Sequence, residues 1–147
     1  MPEIQLPTFD LMGFTPYRLS VAAAAISEEL AAHYRARFDI SIPEWRVLVH
    51  LAHAGDVSVR DIETRVAMEK SKVSRAATRL EVEGYITKKV NAADRRLLQL
   101  SLTPKGRAMM AELLPLAMAF QKEIETRFGA AFEGLEAALD QILRDRT

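Results

Sequence analysis

The sequence predicts a mainly α-helical fold with one small β-hairpin set between long terminal helices. Three observations lead there. Both ends carry long stretches with apolar residues at helical spacing, two shorter helical stretches in the middle are joined by only a few residues, and two β-prone runs flank the hexapeptide Asn91–Arg96. At 147 residues, 49% hydrophobic and 27% charged, the chain has the size of one domain and enough apolar content for a substantial core.

Taken in order, residues 16–38 read as one long helix. Pro16 suits its first turn and Thr15 its N-cap, while Leu19, Ala22, Ala23, Ile26, Leu30 and Ala31 keep helical spacing. Pro43 opens a second helix that stops near Gly55. Ser58 followed by Asp61 resembles a capping box, which predicts a short helix over about Val59–Val66. After a tight turn at Ala67–Glu69, a further helix covers about Lys70–Glu83 and ends at Gly84. Two helices so closely connected form a candidate helix–turn–helix. Tyr85–Val90 and Leu97–Leu102 then form a hairpin, with Leu98, Leu100 and Leu102 alternating against Gln99 and Ser101. Thr103 caps, and Pro104 begins, a helix reaching about Arg127 in which Pro115 predicts a kink. Gly129 separates it from a terminal helix over about 130–145. The apolar rows on the terminal helices, including Leu113, Phe120, Ile124, Leu135 and Leu139, are more than a small middle section covers, so a second copy of the chain is the expected partner.

Charge distribution narrows the function. The formal net charge is zero, yet Arg60 to Arg107 holds twelve Lys and Arg against six Asp and Glu. Binding to phosphates depends on the charge that faces them, not on the sum over the chain. With no cysteine, disulfides, thiolate metal sites and cysteine nucleophiles are excluded. No Gly-rich phosphate loop, HExxH motif or GxSxG elbow is present and no carboxylates are evidently paired, so no enzymatic activity and no cofactor are expected. There is no apolar run of membrane-spanning length, and the opening MPEIQLPTFDLMGF lacks the pattern of a secretory signal, which predicts a cytoplasmic location without a membrane partner.

On a helical wheel, Val73, Ala76, Ala77 and Leu80 share one side of the fourth helix. Lys72, Arg75 and Arg79 form a compact row on another, with Ser71 and Ser74 nearby. Such a face suits a DNA major groove, where Arg and Lys pair with guanine edges and Ser with bases or phosphates. Taken alone, it equally describes an amphipathic helix with a solvated basic face. The hairpin tip Asp94-Arg95-Arg96 follows where a wing would lie, and an extended Arg suits the narrow, negative minor groove. Asp94 can hold a guanidinium in an aimed rotamer, and Lys88 and Lys89 would then lie near flanking phosphates.

The run SKVSRAATRLEVEGYITKKVNAADRRLLQLSLTPKG, Ser71 to Gly106, resembles the MarR (multiple antibiotic resistance regulator) family. Val73-Ser74-Arg75, the Leu80-Glu81…Gly84-Tyr85-Ile86 exit, the Asp94-Arg95-Arg96 wing and Leu102–Gly106 carry the likeness, which extends to Ile42–Leu48 and so over nearly the whole chain. The resemblance implies a homodimer that binds double-stranded DNA at a pseudo-palindromic operator. It places the recognition helix, about 70–83, in the major groove and the wing, about 86–102, in the minor groove. Asp94 and Arg96 match the family's paired wing residues. Residues 1–40 would then be an N-terminal dimerisation helix, 41–103 the winged helix–turn–helix lobe, and 104–147 the C-terminal dimerisation helices. Repression released by a small anionic or phenolic ligand is also implied, although a chain without cysteine is not one of the family's cysteine-based oxidant sensors.

Tyr17, Arg18, His33, Tyr34, Trp45 and Arg46 are the candidate residues for a small aromatic or anionic effector. Structural roles compete: Tyr34 and Trp45 in a core or interface, Arg18 in an ion pair across the dimer. His50 and His53, with His33 before them, lack a third placed ligand, and no metal site is expected. The alternative to a DNA-binding regulator is a winged-helix module that binds another protein without specific DNA recognition.

Overall fold

The computed structural model describes residues 2–65 and 68–145. The chain divides near Pro43 into two compact units. In the first, Asp10 caps a 3-10 turn at Leu11–Gly13 by accepting from the Gly13 N–H at 3.1 Å. The Phe9 and Phe14 rings meet edge to face at 5.0 Å. Helix α1 follows, Thr15–Phe38.

Thr15 is not its cap, contrary to expectation. The extended residue before the helix is Phe14, whose carbonyl accepts from the Arg18 N–H at 3.0 Å and whose own N–H goes back to Leu11. The 3-10 turn thus delivers the chain one residue earlier than the Thr-Pro pair suggested. At the other end Asp39 adopts a left-handed conformation, φ 53°, which stops the helix. Leu19 and Val21 are exposed in the early turns, whereas Ala31 and Tyr34 are buried.

The second unit holds α2 (Ile42–Ala54, continuing from the first), β1 (Val57–Ser58), α3 (Val59–Arg65), α4 (Lys70–Val82), β2 (Ile86–Val90), β3 (Leu98–Leu102), α5 (Pro104–Phe128) and α6 (Ala131–Arg144). Its core is mainly aliphatic, with Trp45 and Phe120 also buried: Leu48 and Leu51 from α2, Ile62 from α3, Val73, Ala77 and Leu80 from α4, Ile86 and Leu100 from the sheet, and Met109, Met110 and Leu113 from α5. The three strands run antiparallel in the order β1-β3-β2. Val57 pairs with Leu100, and β2 pairs with β3 from Ile86–Leu102 to Val90–Leu98. Strand β1 is an addition to the predicted hairpin; two residues are too few for any periodicity to announce them.

Most helix limits follow local signals. Ser58 accepts from the Asp61 N–H at 3.1 Å, the expected cap of α3. Gly84, at φ 83°, ends α4 in the left-handed region that glycine tolerates best. Thr103 caps α5 by accepting from the Gly106 N–H at 3.0 Å while donating to the Gly84 carbonyl at 2.6 Å. Pro115 lies inside α5, which remains one helix through it. The expected turn at Ala67–Glu69 and the end of α3 at Val66 lie partly outside the described residues. Among the described residues, no helix is long and apolar enough to cross a membrane, and α6 buries none of its side chains within the chain.

Candidate nucleic-acid interface

The wing tip is built by short-range hydrogen bonds. Asn91 Oδ1 accepts from the N–H groups of Ala93 at 2.8 Å and Asp94 at 3.1 Å, an Asx turn that folds the chain back. The turn closes where the Leu97 N–H meets the Asp94 carbonyl and the Asn91 N–H meets that of Leu97. On this frame Asp94 grips Arg96 three times. Oδ1 accepts from the Arg96 backbone N–H at 3.1 Å and from Nε at 3.0 Å, and Oδ2 accepts from Nη2 at 3.1 Å. The Arg96 side chain is nonetheless 84% exposed. A fixed yet solvent-facing guanidinium has already lost much of the rotamer freedom that binding would otherwise cost. The Arg96 guanidinium, then its backbone N–H, hold the Asp94 carboxyl below the usual carboxylate range; Arg60 of α3 adds to this, and Asp94 in turn raises the Arg96 pKa.

Helix α4 presents Ser71, Lys72, Ser74 and Arg75 to solvent, with Val73, Ala76, Ala77 and Leu80 turned to the core, as the wheel predicted. Its two flanks are tied to neighbouring elements. On one side Arg79 Nη1 lies 3.4 Å from the carboxylate of Glu44, a residue of α2 only 4% exposed. On the other, Lys88 of β2 donates to Thr78 Oγ1 at 2.9 Å and lies 3.9 Å from the Glu81 carboxylate. Lys89 and Arg95 are exposed. Arg79 and Lys88, grouped from sequence with the DNA-facing residues, are therefore engaged within the protein. Two other residues at this face escaped the sequence reading. Arg60 and Lys70 join Lys88, Arg96, Ser74 and Glu63 around a cleft of about 240 Å³ between α3, α4 and the wing. Both lie in the basic segment, but neither falls on the row or the tip that drew attention to it.

Arg79→Ala is expected to lower stability by about 1–3 kcal/mol in urea unfolding. Removing one partner of a buried pair costs about 3–5 kcal/mol, and the half-exposed guanidinium reduces that. An unchanged midpoint would show that the other contacts of Glu44 suffice.

The candidate effector residues are dispersed by environment. Tyr17 and Arg18 line an open groove of about 520 Å³ in the first unit, together with Met12, Leu19, Val21 and Ala22. Tyr34 and Trp45 are buried, Arg46 is half-buried and His33 is exposed. Among the described residues, no three His, Asp or Glu side chains gather as a metal-binding group.

A helix–turn–helix with a basic, solvent-facing second helix and an Arg-tipped wing defines the winged-helix class. Comparison with known proteins agrees. The MarR family profile matches residues 38–97. A MarR family transcriptional regulator from Silicibacter pomeroyi DSS superposes with a TM-score of 0.76 at 30% identity, covering 93% of this chain and 92% of the other. The chain belongs to the MarR family of transcriptional regulators. It is 32% identical over 95 residues to an HTH-type transcriptional regulator of Bacillus cereus, a match covering 65% of this chain and 63% of that protein's length. It also shares its fold with Bordetella bronchiseptica BpsR, whose DNA binding is regulated by 6-hydroxynicotinic acid: TM-score 0.77, 21% identity, 95% of this chain and 97% of the other.

Proposed function

We propose that the protein is a sequence-specific DNA-binding regulator, a ligand-responsive repressor that acts in the cytoplasm as a homodimer on a pseudo-palindromic operator. The observation that carries this reading is the wing tip. A guanidinium held by two side-chain hydrogen bonds, yet 84% exposed, shares a cleft with Ser74 of the recognition helix, on which Ser71, Lys72 and Arg75 are also exposed. Arg96 is suited to the minor groove, and Arg75 and Lys72 to base edges and phosphates of the adjoining major groove. Arg95, Lys89, Arg60 and Lys70 supply further positive charge for the backbone. Residues 41–103 would be the reading lobe, and 1–40 with 104–147 the dimerisation segments. The exposed Leu135, Ile142 and Leu143 of α6 and Leu19 and Val21 of α1 give a second copy apolar surface to cover.

A small aromatic or anionic effector belongs to the same reading. Tyr17 and Arg18 offer an aromatic wall and a cation in the open groove of the first unit.

The test is selection of duplexes from a randomised pool, followed by anisotropy titration across a salt series. A regulator enriches a pseudo-palindrome with half-sites about 10 bp apart and binds it as a dimer with a steep salt slope. Weak binding that is equal for selected and scrambled duplexes, or none, would instead favour the protein-binding alternative. Arg75→Ala should cost about tenfold on the selected duplex and relax base preference at one position per half-site, read by repeating the selection with the variant. A uniform loss with unchanged preference would make Arg75 a phosphate contact.

A further inference from the structure

We propose that Lys88 is a positioning residue and not a phosphate ligand: its ammonium braces the first wing strand against the recognition helix and fixes the spacing at which the two reach DNA. The inference rests on the DNA-binding reading above.

The register places it. Lys88 pairs with Leu100, which is fully buried, and directly opposed residues of an antiparallel pair share a face of the sheet. Its stem therefore leaves β2 on the core side, the side that Ile86 also occupies. Lys89, opposite Gln99, takes the other face and is exposed. The Lys88 side chain is only 21% exposed, and its head emerges against α4. There the ammonium donates to Thr78 at 2.9 Å and has Glu81 at 3.9 Å. Thr78 and Glu81 stand three residues apart, on one face of the helix.

A lysine ammonium has three N–H donors. The hydroxyl takes one and the Glu81 carboxylate attracts the charge from 3.9 Å, so the head is drawn toward α4, and turning it outward to a DNA phosphate would weaken both contacts. The adjacent lysine, facing outward, is the residue placed for backbone charge. What the brace supplies is geometry: it adds a polar tie between β2 and α4 to the Glu83–Tyr85 connection and the core packing.

The experiment uses the full-length protein and the duplex enriched by the wild type. Affinity is measured across a salt series for Lys88→Met, Thr78→Val, their double variant, Lys89→Met and Arg96→Ala alone and with Lys88→Met. Methionine keeps most of the stem and valine the shape of threonine, so folding is spared. The expected result is a three- to tenfold loss for Lys88→Met with an unchanged salt slope, whereas Lys89→Met lowers the slope by about 0.9. Thr78→Val should reproduce the loss, the double variant should be no weaker than Lys88→Met alone, and Arg96→Ala should cost less in the Lys88→Met background, because a misplaced wing has less to lose. A slope lowered by about 0.9 in Lys88→Met, additive effects of Thr78→Val, or an undiminished Arg96→Ala effect would overturn the brace while leaving DNA binding intact. A wild-type protein that enriches no duplex would overturn the DNA reading itself, and the brace with it.

Discussion

Gly106→Ala is expected to destabilise the protein by about 3 kcal/mol or more, lowering the thermal midpoint by roughly 10 °C. A Cβ at this position would stand 2.1 Å from the Tyr85 carbonyl oxygen, 3.1 Å from its carbon and 3.2 Å from Leu102 Cδ2. The obstacle is backbone, and it cannot swing aside as a side chain would. The same carbonyl accepts from the Thr103 N–H at 3.0 Å, so moving it disturbs the junction where α5 starts. Gly134 is the control: it lies inside α6 with nothing within 4 Å of an added Cβ, and Gly134→Ala should be neutral or stabilising by up to about 1 kcal/mol. Differential scanning calorimetry of both variants decides the matter. Equal midpoints for Gly106→Ala and wild type would mean that α5 can shift away from Tyr85 at little cost.

The second large effect concerns the wing. Arg96→Ala should weaken binding to the selected duplex about ten- to hundredfold without changing oligomeric state, measured by anisotropy and sedimentation. Unchanged affinity would remove the wing from the mechanism. Asp94→Asn separates contact from aim: Arg96 remains, but an uncharged amide with one acceptor oxygen cannot reproduce the ionic grip that now holds it, so an intermediate loss is expected. The grip also has a pH signature. Because the Asp94 carboxyl is held below the usual carboxylate range, the pairing contributes fully above about pH 4, the ordinary value, and is lost only as pH falls through the lowered one. Tip order, followed by the Arg96 Nε–H resonance, should therefore persist to more acid pH than titration of an isolated aspartate would allow.

The parts legible in the sequence were those encoded by neighbours along the chain. The Ser58–Asp61 cap, Gly84 after α4 and the Thr103-Pro104 start of α5 each rest on residues within one turn of each other. The paired Asp94 and Arg96 are only two residues apart. What the sequence could not show depended on partners far away. Strand β1 exists because Val57 meets Leu100, and Arg79 is drawn to Glu44 across 35 positions. A wheel shows which way Arg79 leaves its helix but not that a buried carboxylate waits there. Lys88 is the same lesson on a strand, since its face follows from register with Leu100 and its partners belong to another element. Asn91 is different. Its turn is local and could have been read, but the charged tip beside it drew the interpretation.

The junction of α5 with the exit of α4 has a mechanical consequence. Thr103 holds the Gly84 carbonyl, Lys105 reaches the Glu83 carbonyl at 2.7 Å while lying 4.6 Å over the Tyr85 ring, and Gly106 lets the backbones touch. Helix α5 has 25 residues, roughly 37 Å at 1.5 Å each. Clamped at its first turn, it would act as a lever whose short arm is the end of α4. A displacement of about 3 Å at the remote end corresponds to a turn of only about 5° at the pivot over that length. A movement of the far end of a rigid α5 would thereby be geared down and reach the exit of α4 as a small rotation.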